Sequence, residues 1–586
     1  MTVPQDSPTH SLTTRPRGAA AANVLAVASS AAAVGVLVLT HWTADFEPGL
    51  GMRLLLAGAA AGFVSELAIR WWGRRWRAAF LRTEITEVVP AACLPVALVA
   101  VLLASPASAP GVVEAYLLAA LLAQVVRLYR AAHSTRLRPA HLLVLSWAGA
   151  IAIGTGLLTM PKATADGKGA SASTALFTAT SAVCVTGLIV EDTGSYWSGH
   201  GQMVILVLIQ LGGVGLMTFA AFIAMLLFRG LGLRERLVLR DVLSEELAHR
   251  TGRLVAAIFG VTICFEAIGG ALLYTMWDPA RFSPGERVYY SAFHAISAFC
   301  NAGFCLFSDS FTRYADRWQV TVVIAGLIVI GGLGFSVLVN VWQVVSRRVR
   351  LRVTGGEGVR PRFSLQTRLV LATTVVLLLV GAGLFLLLDR EDTLAGQSAG
   401  GALRRAVFQS VTARTAGFNT VHIGSASLPA ICLLMAWMFI GASPGSTGGG
   451  IKTVTVAILL SNLWAMLRRR TRVEAMRRTI TEETVRRALA VVSMAALIMS
   501  LLILLLAVTE RGRGFAFEDI CFEAFSAFGT VGLSRGITPG LSGWGRIVIV
   551  FGMFIGRIGP LTLALAVYGQ QRPARYEYPA ETVMIG

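Results

Sequence analysis

Apolar residues in this chain come in runs of about 20, separated by short polar stretches in which arginine is frequent. A helix of that length crosses a hydrocarbon core of ~30 Å. Runs at 21–42, about 52–71, 88–105 and 111–126 predict four spans before residue 139. Arg70, Arg74, Arg75 and Arg77 follow the second run, and Arg127, Arg130, Arg136 and Arg138 follow the fourth. The loops 43–51 and 105–111 contain no Lys or Arg, so the positive-inside bias places the N-terminus in the cytoplasm. The run 21–42 is longer than a signal-peptide core and reads as a retained first span.

Beyond residue 139 the pattern repeats. Four segments align without gaps: Ser181-Ala-Val-Cys-Val-Thr-Gly-Leu188, Ser297-Ala-Phe-Cys-Asn-Ala-Gly-Phe304, Val411-Thr-Ala-Arg-Thr-Ala-Gly-Phe418 and Ser526-Ala-Phe-Gly-Thr-Val-Gly-Leu533. Their shared glycines, Gly187, Gly303, Gly417 and Gly532, recur at intervals of 116, 114 and 115 residues. A fixed period points to a repeated supersecondary unit. Each unit has an apolar span (about 141–160, 254–276, 368–388, 488–508), a short helix leading into the glycine, and a second span (about 202–228, 319–345, 428–465, 545–568). The second spans share a further motif: Leu211-Gly-Gly-Val-Gly215, Ile330-Gly-Gly-Leu-Gly334, Ile440-Gly-Ala-Ser-Pro-Gly445 and Ile555-Gly-Arg-Ile-Gly559. All four run into basic stretches (229–240, 347–362, 468–478, and Arg572 with Arg575). The expected fold is therefore an all-α membrane protein with twelve spans and both termini cytoplasmic. It comprises an extension over 1–139 and four helix–loop–helix repeats over 140–240, 241–362, 363–478 and 479–586, arranged around a central pore.

Composition narrows the function. Charged residues make up 14% of the 586-residue chain, against about a quarter in soluble proteins. This excludes a soluble enzyme, a disordered chain and a secreted disulfide scaffold, and the continuous apolar runs argue against an outer-membrane barrel. The net charge of +19 is concentrated in the loops between spans, so it predicts orientation in a lipid bilayer and no nucleic-acid partner. The seven cysteines form no C-x-x-C pair and read as buried, reduced thiols.

A span, a short helix, a glycine turn and a second span is the layout of a re-entrant loop. Irregular backbone at membrane depth is tolerated only where protein buries it or it lines a watery cavity. Four such loops around one axis can present carbonyls that replace the hydration shell of a cation, and glycine permits the positive φ such a turn needs. The glycine segments carry no carboxylate, which suits potassium better than a divalent ion. Glu191, Asp192 and Asp309 follow the loops, either concentrating cations at an outer mouth or simply solvated. Arg414 takes the place of Cys184, Cys300 and Gly529, and is expected to point away from the axis and brace its loop. Residues 441–453 interrupt the third repeat's second span with Pro444 and Gly441, Gly445, Gly448, Gly449 and Gly450, which disfavour helix. Arg557 stands where the other repeats have Gly213, Gly332 and Ala442, and is expected to donate to the carbonyls that loop frees.

The runs 180–188 and 413–420, together with Gly441-Ala-Ser-Pro-Gly-Ser-Thr-Gly-Gly-Gly-Ile-Lys-Thr453 and Phe554-Ile-Gly-Arg-Ile-Gly-Pro560, resemble the Trk/Ktr/HKT superfamily of potassium transporters, nearest to the bacterial Ktr and Trk membrane subunits. The resemblance covers about residues 140–570; the extension before it departs from the shorter Ktr pattern. It implies potassium uptake across the cytoplasmic membrane through a single filter with a gate below it. It also implies a homodimer on a cytoplasmic ring of nucleotide-binding regulatory subunits. On this reading the filter is Val185, Thr186 and Gly187, Asn301, Ala302 and Gly303, Thr415, Ala416 and Gly417, and Thr530, Val531 and Gly532. The gate is Gly441, Ser443, Pro444, Gly445, Gly448, Gly449, Gly450 and Lys452 with Arg557. Potassium is the transported ion, and sodium is carried as a candidate activator.

The stretch 445–453 superficially resembles a phosphate-cradling loop, but Ile451 separates the last glycine from Lys452 and no strand precedes it. No nucleotide is expected on this chain; His294 and His422 are too scattered to suggest a metal site, no H-E-x-x-H occurs, and no catalysis is expected, since no nucleophile–base pair is evident. The alternative is the potassium-translocating subunit of an ATP-driven pump, against which the loop and Arg557 count.

Overall fold

The computed structural model describes residues 139–215, 251–354 and 361–568. The four N-terminal runs, the basic stretch 229–240, the latter part of the first repeat's second span, and Arg572 with Arg575 lie outside the described residues.

The described helices follow one another in a recurring order. First spans are Pro139–Leu158, Thr251–Tyr274, Leu365–Leu388 and Glu482–Thr509. Short helices follow at Ala172–Val183, Pro284–Phe299, Ala399–Thr412 and Phe517–Gly529. Second spans begin at Gly199, Val320, Leu428 and Gly543. Serine caps set many of these starts. Ser171, Ser283 and Ser398 cap the first three short helices, and Ser198, Ser427 and Ser542 cap three of the second spans, each accepting from a backbone N–H one turn on. Such caps satisfy donors that a helix start otherwise leaves orphaned.

Three of the described helices are long and apolar enough to cross a membrane, and a bent pair adds a fourth. Their apolar residues divide by position. Leu379, Leu387, Leu497 and Leu504 are exposed, as a lipid-facing surface requires. The short helices are enclosed, with Phe177, Phe293, Phe299, Phe408, Phe522 and Phe528 among the most buried side chains. The first and second spans of repeats three and four are also tied at one end. The buried carboxylate of Asp389 accepts from Ser427 N at 2.8 Å, and Glu510 accepts from Ser542 N at 3.1 Å, so an acid ending the first span holds the cap of the second.

Two expectations need correction. The second spans of repeats two and four are broken as well as that of repeat three. Helix stops at Leu333 and resumes at Phe335, bent by 97°, and Ile558 is followed by a break before Pro560. The hinge residues Gly334 (φ 92°) and Gly559 (φ 90°), like Gly215 (φ 88°) at the end of the first repeat's helix, adopt a backbone that side chains disfavour. Hydropathy does not register such a break, because the apolar run continues through it. The thiols differ too: Cys264 and Cys432 are exposed on apolar helices, whereas Cys184, Cys300, Cys305 and Cys521 are buried and unpaired. Cys93 lies outside the described residues.

Glycine also sets how closely a second span approaches its short helix. A Cβ placed at Gly212, Gly331 or Gly556 would fall closer than 3.0 Å to the carbonyl oxygen of Val183, Phe299 or Phe528, a separation real Cβ atoms do not show. Gly383 has nothing within 4 Å of the same position. Gly556→Ala is therefore expected to destabilise the detergent-solubilised protein by about 1–3 kcal/mol, the cost of overpacking, while Gly383→Ala leaves it unchanged or slightly more stable. Melting temperatures of the two variants check this, and equal values would remove the close approach at Gly556.

Candidate functional site

The C-terminal ends of the four short helices converge where the repeated glycines follow. At each, the residue two before the glycine turns left-handed: Val185 (φ 56°), Asn301 (φ 58°), Thr415 (φ 74°) and Thr530 (φ 51°). The glycines follow with φ of 86°, 71°, 79° and 92°. Non-glycine residues rarely take this conformation, and three of these four are β-branched, for which it is strained. The N–H groups between them turn back to the short helices. Thr186, Ala302 and Val531 donate to Ser181 O, Ser297 O and Ser526 O at 2.7–2.9 Å, and Ala416 donates to Thr412 O at 3.0 Å. Serine hydroxyls complete two of the turns, Ser181 Oγ accepting from Gly187 N at 3.0 Å and Ser526 Oγ from Gly532 N at 3.1 Å. At the other two, Ser297 and Thr412 donate to Phe304 O and Phe418 O at 2.8 Å.

The four segments form a closed ring. A Cβ at Gly187 would collide with Ala302 O, one at Gly303 with Ala416 O, one at Gly417 with Val531 O, and one at Gly532 with Thr186 O. Each glycine thus faces the carbonyl preceding the next glycine, and the fourth returns to the first. Val185, Thr186, Asn301, Ala302, Thr415, Ala416, Thr530 and Val531 have no exposed surface. The helix ends behind them carry partial negative charge, which favours a cation in the ring.

Beside the ring lies the irregular stretch between Phe439 and Thr453, where Leu428–Phe439 ends and Thr453–Leu467 begins. Several of its backbone groups are paired. Ser443 N donates to Gly332 O at 3.1 Å, Thr447 N to Gly331 O at 3.3 Å, Gly449 N to Thr530 Oγ1 at 3.0 Å and Gly450 N to Gly556 O at 3.3 Å. The loop therefore supplies donors to carbonyls freed where the second spans of repeats two and four break. Its own carbonyls are met by Lys452 Nζ at Gly448 O (2.8 Å), by Ala442 N at Gly449 O (3.3 Å), by Phe335 N at Gly445 O (3.0 Å) and by Arg557 at Thr447 O. Arg557 also donates to Gly212 O and lies 5.2 Å from the Trp147 ring, a cation–π distance. One guanidinium thus bridges repeats one, three and four. Pro444 and Gly441 shape the loop, and Ser443 Oγ lies 3.1 Å from Thr453 Oγ1.

Every residue of the expected filter and gate falls in these two adjoining groups. Sequence reasoning missed Thr447, whose carbonyl receives Arg557, and Trp147 beneath the guanidinium; neither residue type stands out in an apolar run. It also missed the tie from Thr530 to the loop, because nothing in the spacing relates 449 to 530. The expected role of Arg414 needs correction. It is buried, but among the described residues its side chain makes no hydrogen bond, so the guanidinium braces no loop through one. Its side chain lines a small cavity with Ile328, Thr374 and Ala442. Asp192 accepts from Gly194 N and Ser195 N, and Asp309 pairs with Arg313 at 2.8 Å, so both have local structural partners.

The sequence profile of the TrkH family, described as cation transport protein, matches residues 112–572. The chain belongs to the TrkH family. The match starts earlier than the motifs alone indicate and takes in the apolar run at 111–126. Among relatives of this TrkH-family chain, the Ktr system potassium uptake protein B of Vibrio alginolyticus is 38% identical over 447 residues, covering 76% of this chain and 94% of the relative. The potassium/sodium uptake protein NtpJ of Enterococcus hirae is 36% identical over 455 residues, covering 77% and 98%. In fold, the chain resembles the crystal structure of the potassium transporter TrkH from Vibrio parahaemolyticus, with a TM-score of 0.58 and 19% identity, over 83% of this chain and 96% of that one. TrkH-family membership makes this an integral membrane transport protein and does not favour the ATP-driven pump alternative.

The pairing of Lys452 with Gly448 O gives a direct test of the loop. Lys452→Met keeps the length of the side chain and removes the donor, leaving a buried carbonyl unmet at a cost of about 1–3 kcal/mol. The expected result is a lowered melting temperature, partly restored in Lys452→Arg. Equal stability of all three proteins would show that Gly448 O does not depend on this residue.

Proposed function

We propose that the protein takes up potassium across the cytoplasmic membrane through a single pore formed by its four repeats. The ring of glycines and carbonyls is the observation that carries this reading. A dehydrated monovalent cation needs several oxygens at once. Four carbonyl-bearing segments, closed on one another and backed by four helix C-termini, offer them without a carboxylate. The ion-binding set is Val185 to Gly187, Asn301 to Gly303, Thr415 to Gly417, and Thr530 to Gly532. Relatives named for potassium uptake at 38% identity support potassium as the ion, and the potassium/sodium relative supports testing sodium as an activator.

The loop and Arg557 act as a gate beside the filter. Glycine-rich backbone held by hydrogen bonds and by the packing of Ile451 can be withdrawn, provided its partners are met elsewhere. A homodimer seated on a cytoplasmic nucleotide-binding ring would supply the pull, with both termini and the basic loops facing that ring.

Selectivity is tested by Gly187→Ser, which places a side chain against Ala302 O. Potassium-over-sodium discrimination is expected to fall before transport is lost, measured as the ratio of uptake rates in a potassium-uptake-deficient bacterium. An unchanged ratio would sink the filter assignment. The gate is tested by deleting Gly448 to Gly450, and separately by Arg557→Ala. Both should raise potassium flux measured without a ring subunit and weaken its regulation when one is co-expressed. Low, fully partner-dependent flux in both variants, at normal expression, would rule the gate out.

A further inference from the structure

The four left-handed residues of the ring are not held in the same way. Val185 packs its Cγ2 against Gly212 on the second span of its own repeat. Asn301 lies beside Gly332 on its own second span. Its amide, turned so that nitrogen donates to Ala298 O and Ile328 O at 3.1 Å, accepts from Thr415 Oγ1 at 3.2 Å. Thr415 and Thr530, by contrast, meet the loop. A Cβ at Gly448 would collide with Thr415 Oγ1 and Cβ, and one at Gly449 with Thr530 Oγ1 and Cγ2. The Thr530 hydroxyl also accepts the Gly449 N–H at 3.0 Å. A β-branched residue in the left-handed region persists only where its surroundings over-determine it. In repeats one and two a helix contributes to that constraint; in repeats three and four the loop does.

We infer that the loop is a working part of the filter, and that Thr530 is the positioning residue through which the loop sets ion discrimination. The inference deepens the proposed gate and rests on it for its consequence: when the loop withdraws, two of the four segments lose a support that the other two retain. Glycine at 448 and 449 is what permits the approach, since any side chain there would drive the loop away from both threonines. The hydrogen bond from Gly449 fixes the Thr530 side chain, and with it the direction of the following carbonyls of Val531 and Gly532. Val531 O is the atom that faces Gly417, so a shift at Thr530 passes directly into the next contact of the ring.

The test is a double-mutant cycle on full-length protein reconstituted alone into proteoliposomes, with potassium and sodium influx measured separately. Thr530→Val keeps the β-branched shape and removes the acceptor; Thr530→Ser keeps the acceptor. With the loop intact, Thr530→Val is expected to lower the potassium-to-sodium ratio about fivefold, the scale of one hydrogen bond, and Thr530→Ser to lower it less. With Gly448 to Gly450 deleted, the ratio is already lowered, and Thr530→Val changes it little further. Equal fold-changes from Thr530→Val in both backgrounds would overturn the inference, as would a ratio in Thr530→Ser that falls as far as in Thr530→Val. Size-exclusion profiles of all variants confirm intact protein before flux is compared. The gate reading is decided by a separate measurement, the absolute potassium flux of the deletion variant: a flux that does not rise refutes the gate, whatever the cycle gives for selectivity.

Discussion

A backbone carbonyl or amide left unpaired in hydrocarbon costs several kcal/mol, and the described part of this protein is organised by that cost. Four short helices end inside the molecule and several second spans break there, which frees carbonyls at depth. The structure meets them with one another. The amides before the ring glycines return to the short helices, while the loop between Phe439 and Thr453 donates to Gly331 O, Gly332 O and Gly556 O. Arg557 and Lys452 close the balance at Thr447 O, Gly212 O and Gly448 O. An arginine buried in a bilayer is expensive; here it is placed where two repeats present acceptors and an aromatic face.

Much of this was legible in the sequence because it is written as composition and spacing. Gly187, Gly303, Gly417 and Gly532 stand out by their period, and their positive φ agrees with the reason for choosing glycine there. Arg557 was visible because it replaces a small residue at an aligned position. The breaks at Gly334 and Gly559 were less legible: both glycines sit in aligned motifs, yet the apolar pattern runs on unchanged across them. A hydropathy profile records what faces lipid on average and is insensitive to a change in chain direction. Pro444 and a dense group of glycines made the interruption evident in repeat three alone.

What could not be read were the contacts between distant parts of the chain. The tie between Gly449 and Thr530 joins a loop residue and a filter residue, each visible in its own segment, that no spacing relates. Nor does any spacing relate Trp147 to Arg557. Arg414 was read as a brace on the argument that a cation beside a cation path must have another role. The structure buries it among apolar and hydroxyl neighbours and gives its side chain no hydrogen bond there, a placement that residue type does not foretell.

The order of the ring has a consequence for how the molecule is made. Three of its four contacts join neighbouring repeats, so each can form soon after its second partner is synthesised. The last joins Gly532 to Thr186 O, across almost the whole described chain. Until residue 532 has left the ribosome and entered the membrane, Thr186 has no such neighbour, and the first three segments can form only an open arc. A chain released before that point would leave carbonyls facing a gap, a state that quality-control proteases could distinguish from the finished protein.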